Sequence, residues 1–79
     1  MITNVTYFGM IAEKIGVESE DIPIPKEEIP LDLKLFFESK YPVLKTMTYQ
    51  IAVNQEIETH LSFKTSSAEI ALLPPFAGG

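Results

Sequence analysis

Only one stretch of the chain has helical spacing long enough to cover a sheet, and a proline stands at each of its ends. Leu33, Phe36 and Phe37 recur at i, i+3 and i+4, with Lys34, Glu38 and Lys40 on the opposite side. Pro30 suits a first helical turn, where a missing N–H costs nothing, and Glu27, Glu28 and Asp32 favour the positive end of a helix. Pro42 stops the helix near Lys40 or Tyr41, with Leu44 or Val43 continuing the apolar face beyond it. One such helix cannot bury the remaining apolar residues, so strands must do the rest.

The flanking segments supply them. Residues 1–8 are rich in β-branched and aromatic types, and Val5 and Tyr7 alternate with Thr6 and Phe8, which is expected of a central strand. Met10–Ile15 is read as a helical turn or connecting loop stopped by Gly16. Glu18–Ile24 returns beside the first strand, and Pro23 and Pro25, which cannot donate to a ladder, place it at a sheet edge. From Met47 the period is two again: Tyr49, Ile51 and Val53 alternate with Thr48, Gln50 and Ala52. Asn54-Gln55-Glu56 reads as a turn, Ile57 as part of a short strand, and Leu61 and Phe63 as core candidates. Ala68–Leu73 is apolar on both faces and therefore interior.

Strand, strand, helix, strand, short link, strand is an α+β roll, a mixed sheet with one main helix packed across it. With the first and last strands paired in parallel at its centre, the arrangement is the β-grasp of ubiquitin-like proteins. The expected division is a domain over 1–73 and an extended tail over 74–79.

Charge and composition exclude several functions. Eleven acidic residues against six basic ones give −5 at pH 7, the wrong sign for nucleic acid or an anionic membrane surface. No segment approaches the roughly 20 apolar residues of a membrane span. The chain has no cysteine and one histidine, His60, too few for a zinc site of about four N or S ligands. The acidic group Glu18, Glu20, Asp21 lacks calcium-loop spacing and reads as a solvated edge. The glycines at 9, 16, 78 and 79 form no phosphate loop. No stand-alone catalyst, bound metal or resident cofactor is expected, and the cytoplasm is the expected compartment, consistent with the absence of cysteine.

The end of the chain is different in kind. The strand Ile70-Ala71-Leu72-Leu73 meets Pro74-Pro75, then Phe76, Ala77 and Gly78-Gly79. Two prolines remove two backbone donors and favour a stiff, extended exit. Six residues reach about 20 Å when extended. Without Cβ atoms, Gly78 and Gly79 make a tip thin enough for another protein's narrow active site. Phe76 suits an anchor at a partner interface, folding back onto the domain being its other role. Phe8 and Leu73 suit either an extension of that surface or the core.

These residues resemble the small-subunit family of molybdopterin synthase, β-grasp sulfur carriers. The resemblance rests on the tail Leu72–Gly79, on Ile51-Ala52-Val53-Asn54-Gln55, and on Val5-Thr6-Tyr7-Phe8-Gly9 with Glu13 and Gly16. The chain departs from the family's Asp-Gly-Asp-Glu turn, having Ser66-Ser67-Ala68-Glu69 instead.

The resemblance implies that Gly79 is the reactive residue. A ubiquitin-activating-like adenylyltransferase using Mg-ATP would adenylate its carboxylate, a sulfur donor protein would convert it to a thiocarboxylate, and Pro74–Gly78 would insert into the large synthase subunit. There it would donate sulfur to cyclic pyranopterin monophosphate, building the dithiolene within a heterotetramer. The small chain would be a sulfur-donating subunit and not an enzyme alone. The alternatives are a carrier for thiazole synthesis or another thiolation pathway, and a ubiquitin-like adaptor or modifier.

Overall fold

The computed structural model describes residues 2–61 and 68–75. Phe63, Ser66, Ser67 and the tail residues Phe76–Gly79 lie outside the described residues. The elements in chain order are β1 (Ile2–Tyr7), α1 (Met10–Ile15), β2 (Ser19–Pro23), β3 (Leu31–Asp32), α2 (Leu33–Lys40), β4 (Gln50–Val53), β5 (Glu56–Ile57), β6 (His60–Leu61) and β7 (Ala68–Leu73). Single 3-10 turns occupy Lys26–Glu28 and Pro42–Thr46.

Five strands form one sheet in the order β2-β1-β7-β4-β5, and β3 and β6 pair separately. β1 and β7 run parallel, with Val5 opposite Ile70 and Tyr7 opposite Leu72, while β2 and β4 flank them antiparallel. The expectation of a central first and last strand and an edge second strand therefore holds. The cause is side-chain type: β1 buries Thr3, Val5 and Tyr7, and β7 buries Ala68, Ile70 and Leu72, all on one pleated face.

α2 lies over that face. Leu33 and Phe37 are buried with Val5, Ile70 and Leu72, and the Phe37 ring meets Tyr7 edge-on at 6.2 Å. Each such side chain, fully buried, contributes about 1.5–3 kcal/mol. Leu44 and Leu61 are also fully buried in this core, whereas Val43 is exposed and Phe36 is only half-buried.

The helix begins later than its sequence suggests. Its N-cap is Asp32, whose Oδ1 accepts from Leu35 N at 3.2 Å, and Pro30 stands outside it. Leu31 and Asp32 are drawn instead into pairing with Leu61 and His60, and Leu33 N donates to Thr59 O at 2.9 Å. Glu27 and Glu28 sit in the preceding 3-10 turn, so they do not serve the dipole of α2. The C-terminal limit agrees: the helix ends at Lys40, with Tyr41 as cap before Pro42.

Two turns position the site end of the sheet. Gly9, at φ 57° and ψ −131°, turns β1 into α1, a backbone conformation reserved for glycine. Asn54 and Gln55 both have positive φ at the β4–β5 turn. Asn54 also clips that turn to β7: its N–H donates to Glu69 O at 2.8 Å, and its Oδ1 accepts from Glu69 N at 2.9 Å.

Candidate functional site

The last described residues leave the sheet at a defined point. β7 ends at Leu73, opposite Gln50 of β4, and Pro74 and Pro75 carry the chain outward with no N–H to extend the ladder. On the other side, Phe8 N donates to Leu72 O at 3.1 Å. A Cβ built on Gly9 would lie 3.6 Å from Pro74 Cγ, so the β1–α1 turn packs beside the first proline. Pro74 is half-buried and Pro75 exposed.

The sheet face away from α2 carries the second part of the site. Because Tyr7 and Leu72 point into the core, their neighbours Phe8 and Leu73 point to the opposite face. Through the pairs Ala71–Ala52 and Ala52–Ile57, that face continues across β4 to β5. Phe8 is 44% exposed and Ile57 58% exposed, with Leu73 half-buried between them. Neither Phe8 nor Leu73 belongs to the core. Ile57 was read from sequence only as part of a short strand. Its place on the apolar face depends on a cross-strand register that the local pattern does not specify.

Behind this end sits a polar clasp. Glu20 Oε2 accepts from the hydroxyls of Tyr7 at 2.6 Å and Tyr41 at 2.5 Å, and the two rings meet edge-on at 5.8 Å. Burial pushes both phenols above their ordinary range, and the Glu20 carboxylate pushes them further. Burial also raises the Glu20 carboxyl, but hydrogen bonds from Tyr41 and Tyr7 and the charge of Lys40 outweigh it and hold it low. Glu20 is thus a half-buried acceptor, which corrects its reading as part of a solvated edge. Asp21 is held by Asn4 Nδ2 at 3.0 Å.

His60 is exposed. Its Nδ1 lies 3.0 Å from Thr59 Oγ1 and its Nε2 3.9 Å from Asp32 Oδ2. Among the described residues no group of three or more His, Cys, Asp or Glu could hold a metal ion. No helix among them is long and apolar enough to cross a membrane. Of the residues singled out from sequence, the structure brings Phe8, Leu73, Pro74 and Pro75 together at one end of the sheet. Phe76, Ala77, Gly78 and Gly79 lie outside the described residues.

A mixed sheet with parallel first and last strands, one main helix across it and a prolyl exit from the central strand defines a ubiquitin-like β-grasp domain. No protein-family model matches the chain. The chain is 39% identical over 80 residues to the human molybdopterin synthase sulfur carrier subunit, an alignment spanning 95% of this chain and 91% of that protein. It belongs to the molybdopterin synthase sulfur carrier subunit family.

Solved structures agree on the fold. A Pyrococcus furiosus protein described as molybdopterin converting factor subunit 1 superposes with a TM-score of 0.76 at 20% identity, over 96% of this chain and 99% of that one. The complex of subunits 1 and 2 of the molybdopterin-converting factor from Helicobacter pylori contains a chain at TM-score 0.62 and 27% identity, with full coverage of both. Small archaeal modifier protein 1 of Methanosarcina acetivorans gives 0.67 at 25% identity, over 99% of this chain and 96% of that one.

Proposed function

We propose that this chain is the sulfur-carrying small subunit of a molybdopterin synthase, with Gly79 as the carrier residue. The observation that carries the reading is the 39% identity to a sulfur carrier subunit along 95% of the chain. The prolyl exit of the central strand beside an exposed apolar face supports it.

The division of labour follows from elementary chemistry. A free carboxylate repels nucleophiles and has a poor leaving group. An adenylyltransferase using Mg-ATP joins the Gly79 carboxylate to AMP and releases pyrophosphate. A persulfide on the sulfur donor then displaces AMP, and a second thiol cleaves the resulting S–S bond, leaving a thiocarboxylate on Gly79. This chain has no cysteine, so the terminal carbonyl is its means of holding sulfur. Residues 74–79 form the extended insertion arm, and the body over 1–73 is its handle.

Phe8, Leu73 and Ile57 form the docking face for the large subunit, with Phe76 as a further anchor. Two copies of each subunit make the heterotetramer, working in the cytoplasm on cyclic pyranopterin monophosphate. Incubation with the activating enzyme, Mg-ATP and a sulfur donor tests the first half. Intact mass should rise by the difference between sulfur and oxygen, and an unchanged mass overturns the carrier reading. Formation of molybdopterin on adding the large subunit tests the second half.

A modifier role is the second reading, favoured by the likeness to a small archaeal modifier protein at 25% identity. The same activated terminus captured by a lysine amine would give an isopeptide-linked product rather than a thiocarboxylate. The same mass experiment, run with a cell extract, separates them.

A further inference from the structure

The prolyl exit from the sheet borders a groove that the docking face does not use. About 440 Å³ of space is bounded by α1, by residues 46–48 and by Pro74 and Pro75. Met10, Met47 and Lys14 line it, together with Ile11. Ile11 is fully buried and Met47 half-buried, but Met10 is 61% exposed, a large apolar side chain left open to water. Phe8, Leu73 and Ile57 are not among the lining residues, so the groove is a surface of its own.

We infer that this groove receives an extended, acidic segment of the large subunit, with an apolar side chain between Met10 and Met47 and a carboxylate on Lys14. The inference rests on the carrier reading for its partner. Continuity is the first support: Pro74 and Pro75 are both the exit of β7 and one wall of the groove. A protein that grips the chain beyond β7 is therefore already beside it.

The backbone favours an extended occupant. Pairing of β4 with β7 stops at Gln50 and Leu73. The same register continued would set Tyr49 against Pro74 and Thr48 against Pro75, and neither proline has an N–H to give. Among the described residues Thr48, which is exposed, makes no hydrogen bond. Its N–H and C=O are open to a peptide laid along the groove, and the methionine walls adapt to the side chain such a peptide brings.

Charge selects the acidic segment. Lys14 lies on the same face of α1 as Met10 and Ile11, and it is the one charged residue lining the groove. Lys14 makes no ion pair among the described residues. Glu13 falls on the other side of α1, where it lines a separate recess with Glu18. In a chain carrying −5, the groove thus offers a carboxylate an unpaired cation, whereas the neighbouring recess repels it.

Titration calorimetry of the full chain with the large subunit tests the assignment. Met10→Glu and Lys14→Glu, both at exposed positions, should each weaken binding at least about tenfold and leave the melting temperature unchanged. Met10→Leu and Lys14→Arg should keep the affinity. Both losses are required: unchanged affinity in either Glu variant overturns the inference, as does a wild-type chain that does not bind the large subunit. A second copy as occupant would show as dimers of the free chain that Met10→Glu dissociates, and this also overturns it. Sulfur loading, read by mass on the uncomplexed chain, keeps the two readings apart. A chain that loads sulfur while the Glu variants bind normally defeats only the groove. A chain that never loads defeats the carrier reading, whatever the variants do to binding.

Discussion

The Tyr41 hydroxyl donates to Glu20 Oε2 at 2.5 Å, tying the C-terminal end of α2 to edge strand β2. The same oxygen accepts from Tyr7 of β1 at 2.6 Å, so one carboxylate joins three elements. Edge strands are otherwise free to fray or to pair with other chains. Here the edge is pinned from the core side.

The clasp predicts acid sensitivity. The Glu20 carboxyl lies below its ordinary 4.5 in the folded protein, so its contribution is full above that value and is lost as pH falls through the folded pKa. Glu20→Gln should cost about 1–3 kcal/mol near neutrality, toward the low end because the group is partly solvated. It should also flatten the decline of thermal stability below pH 4.5. Parallel melting curves of the two proteins from neutral to acid pH check this, and identical pH profiles would contradict it.

The phenols predict the alkaline side. Tyr7, Tyr41 and Tyr49 all donate to carboxylates, Tyr49 to Glu38 at 2.8 Å. Burial first, and then those carboxylates, raise all three above the ordinary 10.0. Their stabilisation is complete below pH 10.0 and is lost as pH rises through the higher folded values. Phenolate absorbance should therefore stay low at pH 10.0 and appear together with unfolding. A tyrosine ionising at its ordinary value in the folded chain would refute this.

Gly9→Ala tests the turn beside Pro74. The added Cβ meets Pro74 at ordinary contact distance, 3.6 Å, so the cost comes from the backbone at φ 57° and ψ −131°. The expected loss is about 1–3 kcal/mol. At Gly16, left-handed at φ 79° and ψ 17°, alanine should cost roughly 1–2 kcal/mol. Chemical denaturation of the two variants gives both figures.

Phe8→Glu and Ile57→Glu place charges on the apolar sheet face without entering the core. Each should leave the melting temperature nearly unchanged and weaken binding to the large subunit at least tenfold, the loss expected when an interface anchor is removed. Titration calorimetry is the measurement, and unchanged affinity in both variants would remove this face from the interface.

Deleting Gly79 should abolish the sulfur mass gain and leave thermal unfolding intact, since the residue follows the last strand by six positions. A chain that no longer folds would contradict the division into body and arm.

Much of the fold was legible because strand and helix periods differ. Val5, Tyr7, Ile70 and Leu72 announced two central strands, Pro23 an edge, and Pro42 the helix end. The helix start was misread because Leu31-Asp32 pairs with His60-Leu61, a contact between residues far apart in sequence that outweighs the local preference of proline for a first turn. Glu20 was read as solvated because acidic residues near an edge usually are, and its two phenol donors come from β1 and the end of α2. Phe8 and Leu73 were ambiguous for a related reason. Adjacent apolar residues on a strand face opposite ways, and only the position of α2 decides which face is covered.

The pairing of β7 with β1 in parallel on one side, and with β4 antiparallel on the other, has a mechanical consequence. A pull along the arm beyond Pro75 acts along the axis of a strand bonded at both edges, loading two ladders in shear. Bonds sheared together resist as a group, whereas an edge strand would peel one bond at a time. A tail pulled from this point would thus be held by a strand bonded at both edges.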